Sequence, residues 1–184
     1  MNIDISNDLL SMIYLIIGVS GSGKTTIGTA LNQQLGYAFY DADDFHPPEN
    51  IAKMSQGIPL NDSDRLPWLL AIKSVINENQ KEDKNAVITC SALKQAYRDL
   101  LEQNTTDIIW IYLKGSYETF LKRLQHRSEH FMKENMLMSQ FQILEEPENA
   151  MTIDVNLSVE EIVQTIINQT CAKIDSNRKP KDLF

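Results

Sequence analysis

The sequence predicts an α/β fold built on a mostly parallel sheet. Five short apolar runs recur along the chain, at 12–17, 38–40, 86–90, 108–113 and 151–154, and stretches with helical spacing fill the gaps between them. The runs lack in–out alternation, as expected of strands covered on both faces. At 184 residues the chain fits one globular domain over 1–184, and no repeat or linker divides it.

The elements follow in order. Residues 1–11 form an N-terminal extension with two aspartates and no lysine or arginine, unlike a secretory signal. The first strand, Met12 to Ile17, runs directly into Gly18-Val19-Ser20-Gly21-Ser22-Gly23-Lys24-Thr25. That octet fits G-x-x-x-x-G-K-[ST], a pattern that arises by chance in a chain of this length with a probability of about one per cent or less. Ile27, Ala30, Leu31 and Leu35 then mark a helix over 25–35, closed by Gly36 at a left-handed cap position. A strand, a glycine loop and a helix N-terminus place unpaired amides and a positive dipole end around an anion. Lys24 is placed to reach the terminal phosphates of a nucleoside triphosphate, and the Thr25 hydroxyl to ligate its Mg2+. The alternative is a plain Gly/Ser-rich turn.

After the second strand comes Asp41-Ala42-Asp43-Asp44, either a carboxylate set that serves an acceptor hydroxyl and the magnesium shell, or a solvated acidic turn. His46 precedes Pro47 and Pro48, so ligand contact and helix capping both fit it. The prolines start a short helix over 48–56, and Gly57 stops it. Asn61-Asp62-Ser63-Asp64-Arg65 opens a longer helix marked by Leu66, Leu69, Leu70, Lys73 and Ile76; caps explain its Asn and Asp but not Arg65. The third strand leads to Ser91 and to a helix carrying Leu93, Tyr97, Leu100 and Leu101, on which Lys94 and Arg98 share a face at i and i+4. They read as an anion-binding pair or as a solvated pair.

A helix with Tyr117, Phe120, Leu121 and Leu124 follows the fourth strand. Arg123 and Arg127 repeat the i, i+4 spacing at the entrance to 126–146, a segment rich in Met, His, Gln and charge that reads as a lid. There they would neutralise a transferring phosphoryl group once water is excluded, unless they belong to a solvated face. The fifth strand precedes the capping box Ser158-Val159-Glu160-Glu161 and a last helix with Ile162, Val163, Ile166 and Ile167. The polar tail from 173 to 184 is expected to fray.

Composition narrows the function classes. A net charge of −8 argues against a nucleic-acid partner, so an anionic substrate needs a local basic cluster. The longest apolar run is too short to cross a bilayer, which makes the cytoplasm the expected compartment. Cys90 and Cys171 lack the spacing of a zinc site or disulfide framework.

Read together, GVSGSGKTT at 18–26, DADDFHPPEN at 41–50, KMSQGIPLNDSDRLPWL at 53–69, CSALKQAYRDLL at 90–101, IYLKGSYE at 111–118, HFM at 130–132 and LEEPE at 144–148 resemble the gluconate kinases, small ATP-dependent P-loop carbohydrate kinases. The resemblance implies a three-layer, nucleoside-monophosphate-kinase-like fold, sheet order 2-3-1-4-5, a helical lid, and transfer of the ATP γ-phosphoryl group to the 6-hydroxyl of D-gluconate. It also implies Mg2+ as cofactor. By it, Gly18, Ser20, Gly21, Ser22, Gly23, Lys24, Thr25 and Thr26 bind ATP, with Thr25 on the metal. Asp43, His46, Arg65, Lys94 and Arg98 bind the sugar acid. Lys24, Asp43, Arg123 and Arg127 carry the transfer. Similar kinases are often dimers, so a homodimer is expected.

Two departures stand out: Ser128-Glu129 precedes His130 where similar kinases commonly carry glycine, and Asp154-Val155-Asn156-Leu157 lacks a proline often found near the adenine site. The competing readings are a shikimate- or nucleotide-kinase-like enzyme of the same fold and a non-catalytic nucleotide-binding regulator. A GTPase is disfavoured because no Asn-Lys-x-Asp motif is present.

Overall fold

The computed structural model describes residues 11–105, 107–126 and 131–177, with backbone alone at 131–133 and 177. Five strands, β1 (Ile13–Ile17), β2 (Ala38–Asp41), β3 (Ala86–Cys90), β4 (Ile108–Lys114) and β5 (Met151–Asp154), form one all-parallel sheet in the order 2-3-1-4-5. The implied topology is borne out. Around the sheet lie α1 (Lys24–Leu35), α2 (Pro48–Ser55), α3 (Asp62–Lys81), α4 (Gln95–Glu102), α5 (Tyr117–Gln125), α6 (Phe131–Ile143) and α7 (Val159–Asn177).

The central strand β1 is buried throughout and feeds both faces of the sheet. Tyr14 and Ile16 join a core with Ile27 and Leu31 of α1, Phe120 and Leu124 of α5, Leu137 of α6, and Ile162 and Ile166 of α7. Ile13, Leu15 and Ile17 point the other way, onto Trp68, Leu69, Ile72 and Ile76 of α3 and Tyr97 and Leu101 of α4. The period-2 geometry of a strand makes this division, and it explains why the run is apolar without alternation. Full burial applies to β1 and β3; the edge strands β2 and β5 are half-exposed, because each has a neighbour on one side only.

Helix ends match their local chemistry. Gly36 closes α1 at φ 69°, with its N–H on Asn32 O at 2.8 Å. Asn61 and Asp64 form a reciprocal capping box on α3, and Ser158 and Glu161 exchange the same pair of bonds at α7. Three boundaries differ from expectation. A 3-10 turn occupies Ala42–Phe45, because Asp41 Oδ1 accepts the Asp43 N–H at 3.1 Å and tightens the chain. Helix α4 begins at Gln95, since Ala92 adopts φ 35° and Lys94 is extended. Helix α7 continues to Asn177, carried by the burial of Thr170 and packing of Cys171 and Ile174 on the core, so the expected fraying does not begin at 173.

Among the described residues no helix is long and apolar enough to cross a membrane. Cys90 and Cys171 are free thiols, as expected.

Candidate active site

Strand register brings the motif-bearing loops to one edge. Ile17 lies opposite Cys90 and Asp41 opposite Thr89, so the segments after β1, β2 and β3 leave the sheet side by side. The loop from Gly18 to Gly23 turns over the N-terminus of α1. Gly23 takes φ 97°, a left-handed conformation that favours glycine, and no side chain caps the helix there. The first-turn amides therefore face an open site, and Thr25 and Thr26 are exposed beside them. Lys24 Nζ folds back onto the carbonyls of Gly18 at 3.0 Å and Val19 at 3.1 Å, which holds its charge over the loop.

The Thr25 hydroxyl donates to Asp41 Oδ2 at 2.7 Å. A threonine oxygen beside a carboxylate is a hard-oxygen pair of the kind Mg2+ takes, with phosphate and water completing an octahedron. No cluster of three or more His, Cys, Asp or Glu suited to a metal occurs among the described residues. In the sequence Asp41 is one carboxylate of an acidic run; its position as last residue of β2, hydrogen-bonded to Thr25, is what selects it.

Asp43 is exposed in the 3-10 turn. Burial pushes the Cys90 thiol up to about 12, with smaller effects from the Lys24 charge, which lowers it, and from the Asp43 and Asp41 carboxylates, which raise it. His46 follows, stacked on Trp68 with ring centroids 4.5 Å apart and planes 7° from parallel. Trp68 Nε1 donates to Ala42 O at 2.7 Å and ties α3 to the 3-10 turn. Burial lowers the His46 pKa from 6.5, opposed by the charge of Asp43 and aided by that of Arg65, so the ring is neutral at pH 7. Both readings of His46 therefore keep support, since its ring is structural and its neighbours are charged.

A second cluster lies beyond His46. Arg65 and Lys94 both face the Tyr97 ring, at 5.9 and 5.6 Å from its centroid. Lys94 Nζ holds Asp62 through both carboxylate oxygens, at 2.7 and 2.8 Å, and the Tyr97 hydroxyl donates to the same carboxylate. These bonds pull the Asp62 pKa down and the Lys94 pKa up. The cluster borders an open cleft of about 480 Å³ that reaches Ile143 of α6. From sequence Tyr97 and Asp62 read only as a core residue and a cap, because i, i+4 spacing within one helix does not reveal contacts between helices.

Arg98 requires a correction. It does not share a helical face with Lys94, which precedes α4, and it is 3% exposed. All five of its donors are occupied: Nη1 on Ala92 O and Leu93 O, Nη2 on Gln95 Oε1 and Glu145 O, and Nε on Gln95 Oε1. Its guanidinium braces the left-handed turn at Ala92 and pins the segment after α6, leaving no donor for a substrate. Arg123 donates to Val155 O at 2.6 Å and to Ser22 O at 3.4 Å, so it bridges the phosphate loop to the segment after β5. Arg127 and the departure at Ser128-Glu129 lie outside the described residues.

A triphosphate loop at the carboxyl edge of a 2-3-1-4-5 sheet, joined through a carboxylate turn to a small cationic cleft, defines a P-loop kinase acting on a small molecule. The family model described as shikimate kinase matches residues 20–171. The chain is 42% identical over 172 residues to the thermosensitive gluconokinase of Escherichia coli (strain K12), covering 87% of this chain and 92% of that one. It is 46% identical over 170 residues to a probable gluconokinase of Dictyostelium discoideum, covering 85% of each. The crystal structure of a gluconokinase from Sinorhizobium meliloti 1021 superimposes with a TM-score of 0.81 at 36% identity, over 94% of this chain and 100% of that one. The chain belongs to the gluconokinase family of P-loop small-molecule kinases.

Proposed function

We propose that the protein transfers the γ-phosphoryl group of ATP to the 6-hydroxyl of D-gluconate, giving 6-phosphogluconate and ADP. The observation that carries the sugar-acid reading is the carboxylate already lodged in the cationic cleft: Asp62, held by Lys94 and Tyr97 beside Arg65. The cleft thus suits an acidic acceptor, gluconate or shikimate alike, and not a neutral sugar. Relatives named gluconokinase that match over 85–87% of the chain favour gluconate over the other acceptors of the fold.

In this reading the amides from Gly21 to Thr26 and Lys24 cradle the phosphates, with Gly18 and Ser20 shaping the loop. Arg65, Lys94 and His46 receive gluconate with its 6-hydroxyl toward Asp43. Asp43 takes the hydroxyl proton as the oxygen attacks the γ-phosphorus, and the bond to the β–γ bridging oxygen breaks to release ADP. Lys24, Arg123 and Arg127 offset the charge on the equatorial oxygens. Thr25, backed by Asp41, would hold Mg2+, which supplies charge neutralisation on the β- and γ-phosphates when bound. A cytoplasmic enzyme fits this chemistry. A homodimer is part of the proposal, and the exposed side chains of Ile51, Ile58, Leu66 and Leu70 are apolar surface that such an assembly would cover.

Asp43→Asn tests the acceptor half. Its kcat with gluconate is expected to fall by about 10²–10⁴-fold, while ATP affinity stays within about twofold, because the lost group acts on the acceptor. Unchanged turnover removes Asp43 from the mechanism.

A further inference from the structure

Gln140 stands on α6, the stem of the segment that the sequence reads as a lid, yet its side-chain amide is committed to the phosphate loop. Its Oε1 accepts the Ser20 backbone N–H at 2.6 Å, and its Nε2 donates to Ser20 Oγ at 3.0 Å. The two residues are 120 positions apart in sequence. Each end of the amide meets its chemical complement, so one orientation of the side chain satisfies both bonds. The base that carries Gln140 is firmly held. Leu137, one turn earlier, is fully buried, and Phe141 packs edge-on to Tyr117 at 5.4 Å. Just past the helix, Glu145 N donates to Leu93 O at 2.9 Å, and Arg98 Nη2 donates to Glu145 O at 2.9 Å. The stem thus joins the loop that holds the phosphates to the loop that presents Lys94.

Ser20 is the third residue of the glycine loop, between the Gly18 turn and the amides that face the phosphates. Within the loop, Ser22 N donates to Val19 O at 3.2 Å and Lys24 Nζ reaches the carbonyls of Gly18 and Val19, but these bonds do not involve Ser20. Ser20 is instead held from outside, by a neutral group that adds no charge next to a triphosphate.

We propose that Gln140 is a positioning residue for phosphoryl transfer: it fixes Ser20, and through Ser20 the edge of the phosphate loop, from the anchored stem of the lid. The proposal rests on the kinase reading above. Its chemistry predicts opposite responses from two variants. Gln140→Leu fills nearly the same volume without either hydrogen bond, so kcat falls roughly tenfold while the KM for gluconate stays within about twofold. Gln140→Glu still accepts the Ser20 N–H and can accept the Ser20 hydroxyl, but it adds a negative charge. There kcat stays within about threefold, and affinity for a non-hydrolysable ATP analogue, measured by calorimetry, weakens roughly tenfold.

A role in packing alone does not produce that split, because the Leu variant would then match the wild type in both parameters. Wild-type kcat in Gln140→Leu, or wild-type analogue affinity in Gln140→Glu, overturns the proposal. If Gln140→Leu does not fold, the Glu variant decides alone. Calorimetry needs no acceptor, so a wild-type chain that binds the analogue yet leaves gluconate untouched overturns the acceptor assignment and leaves the Gln140 test standing.

Discussion

Each side chain at the site is defined by what its polar atoms already hold. Lys94 grips a carboxylate on the surface of a cleft, whereas Arg98, four residues on, spends every donor on neutral oxygens in the interior. The two cations look alike in sequence; they differ because Lys94 is the extended residue before α4 and Arg98 lies buried within the helix. His46 offers a test at this scale. Because burial lowers its folded-state pKa below 6.5, the unfolded chain takes up the proton first as the pH falls. Stability is therefore unaffected by this group well above pH 6.5 and is lost as the pH drops below it. His46→Phe keeps an aromatic ring on Trp68 and removes the titration. Melting temperatures between about pH 5 and 6.5 should fall less steeply for the variant; equal slopes would show that His46 does not contribute. The donor residues were legible in the sequence because a glycine loop is local. Asp41, Tyr97 and Gln140 were not, since their roles come from contacts between elements far apart in the chain.

At the scale of elements, α1 packs tightly against the sheet. A Cβ added at Gly28 would come within 2.7 Å of both Phe39 and Thr89, so this glycine sets how near the helix sits to β2 and β3. Gly28→Ala should cost about 1–3 kcal/mol by overpacking and lower Tm by roughly 2–4 °C per kcal/mol, read by calorimetric unfolding. A variant as stable as the wild type would mean that Phe39 yields freely. The strands and most helices were legible from apolar runs, caps and prolines. The missed features share one cause: the 3-10 turn, the late start of α4 and the length of α7 depend on side-chain-to-backbone bonds and on packing, neither of which leaves a periodic signature.

At the scale of the whole molecule, a chain of net charge −8 must attract two anionic substrates to one edge of its sheet. In the proposed reading the cations that do so come from several loops: Lys24 over the phosphate loop, Arg123 beside it, and Arg65 and Lys94 around one tyrosine. Asp62 pairs with the Lys94 cation at 2.7 Å. The sheet order was legible only through family resemblance, because helical and strand periodicity fix elements and not their neighbours. The central claim is the identity of the acceptor. ADP release with ATP and a panel of gluconate, other sugar acids, free sugars, shikimate and nucleoside monophosphates measures it directly, with the phosphorylated product identified by phosphorus NMR. Turnover is expected with gluconate well above the ATP-only background and above every other acceptor, with the phosphate on the 6-oxygen; no rate above background with gluconate, alongside turnover of another acceptor, would contradict it.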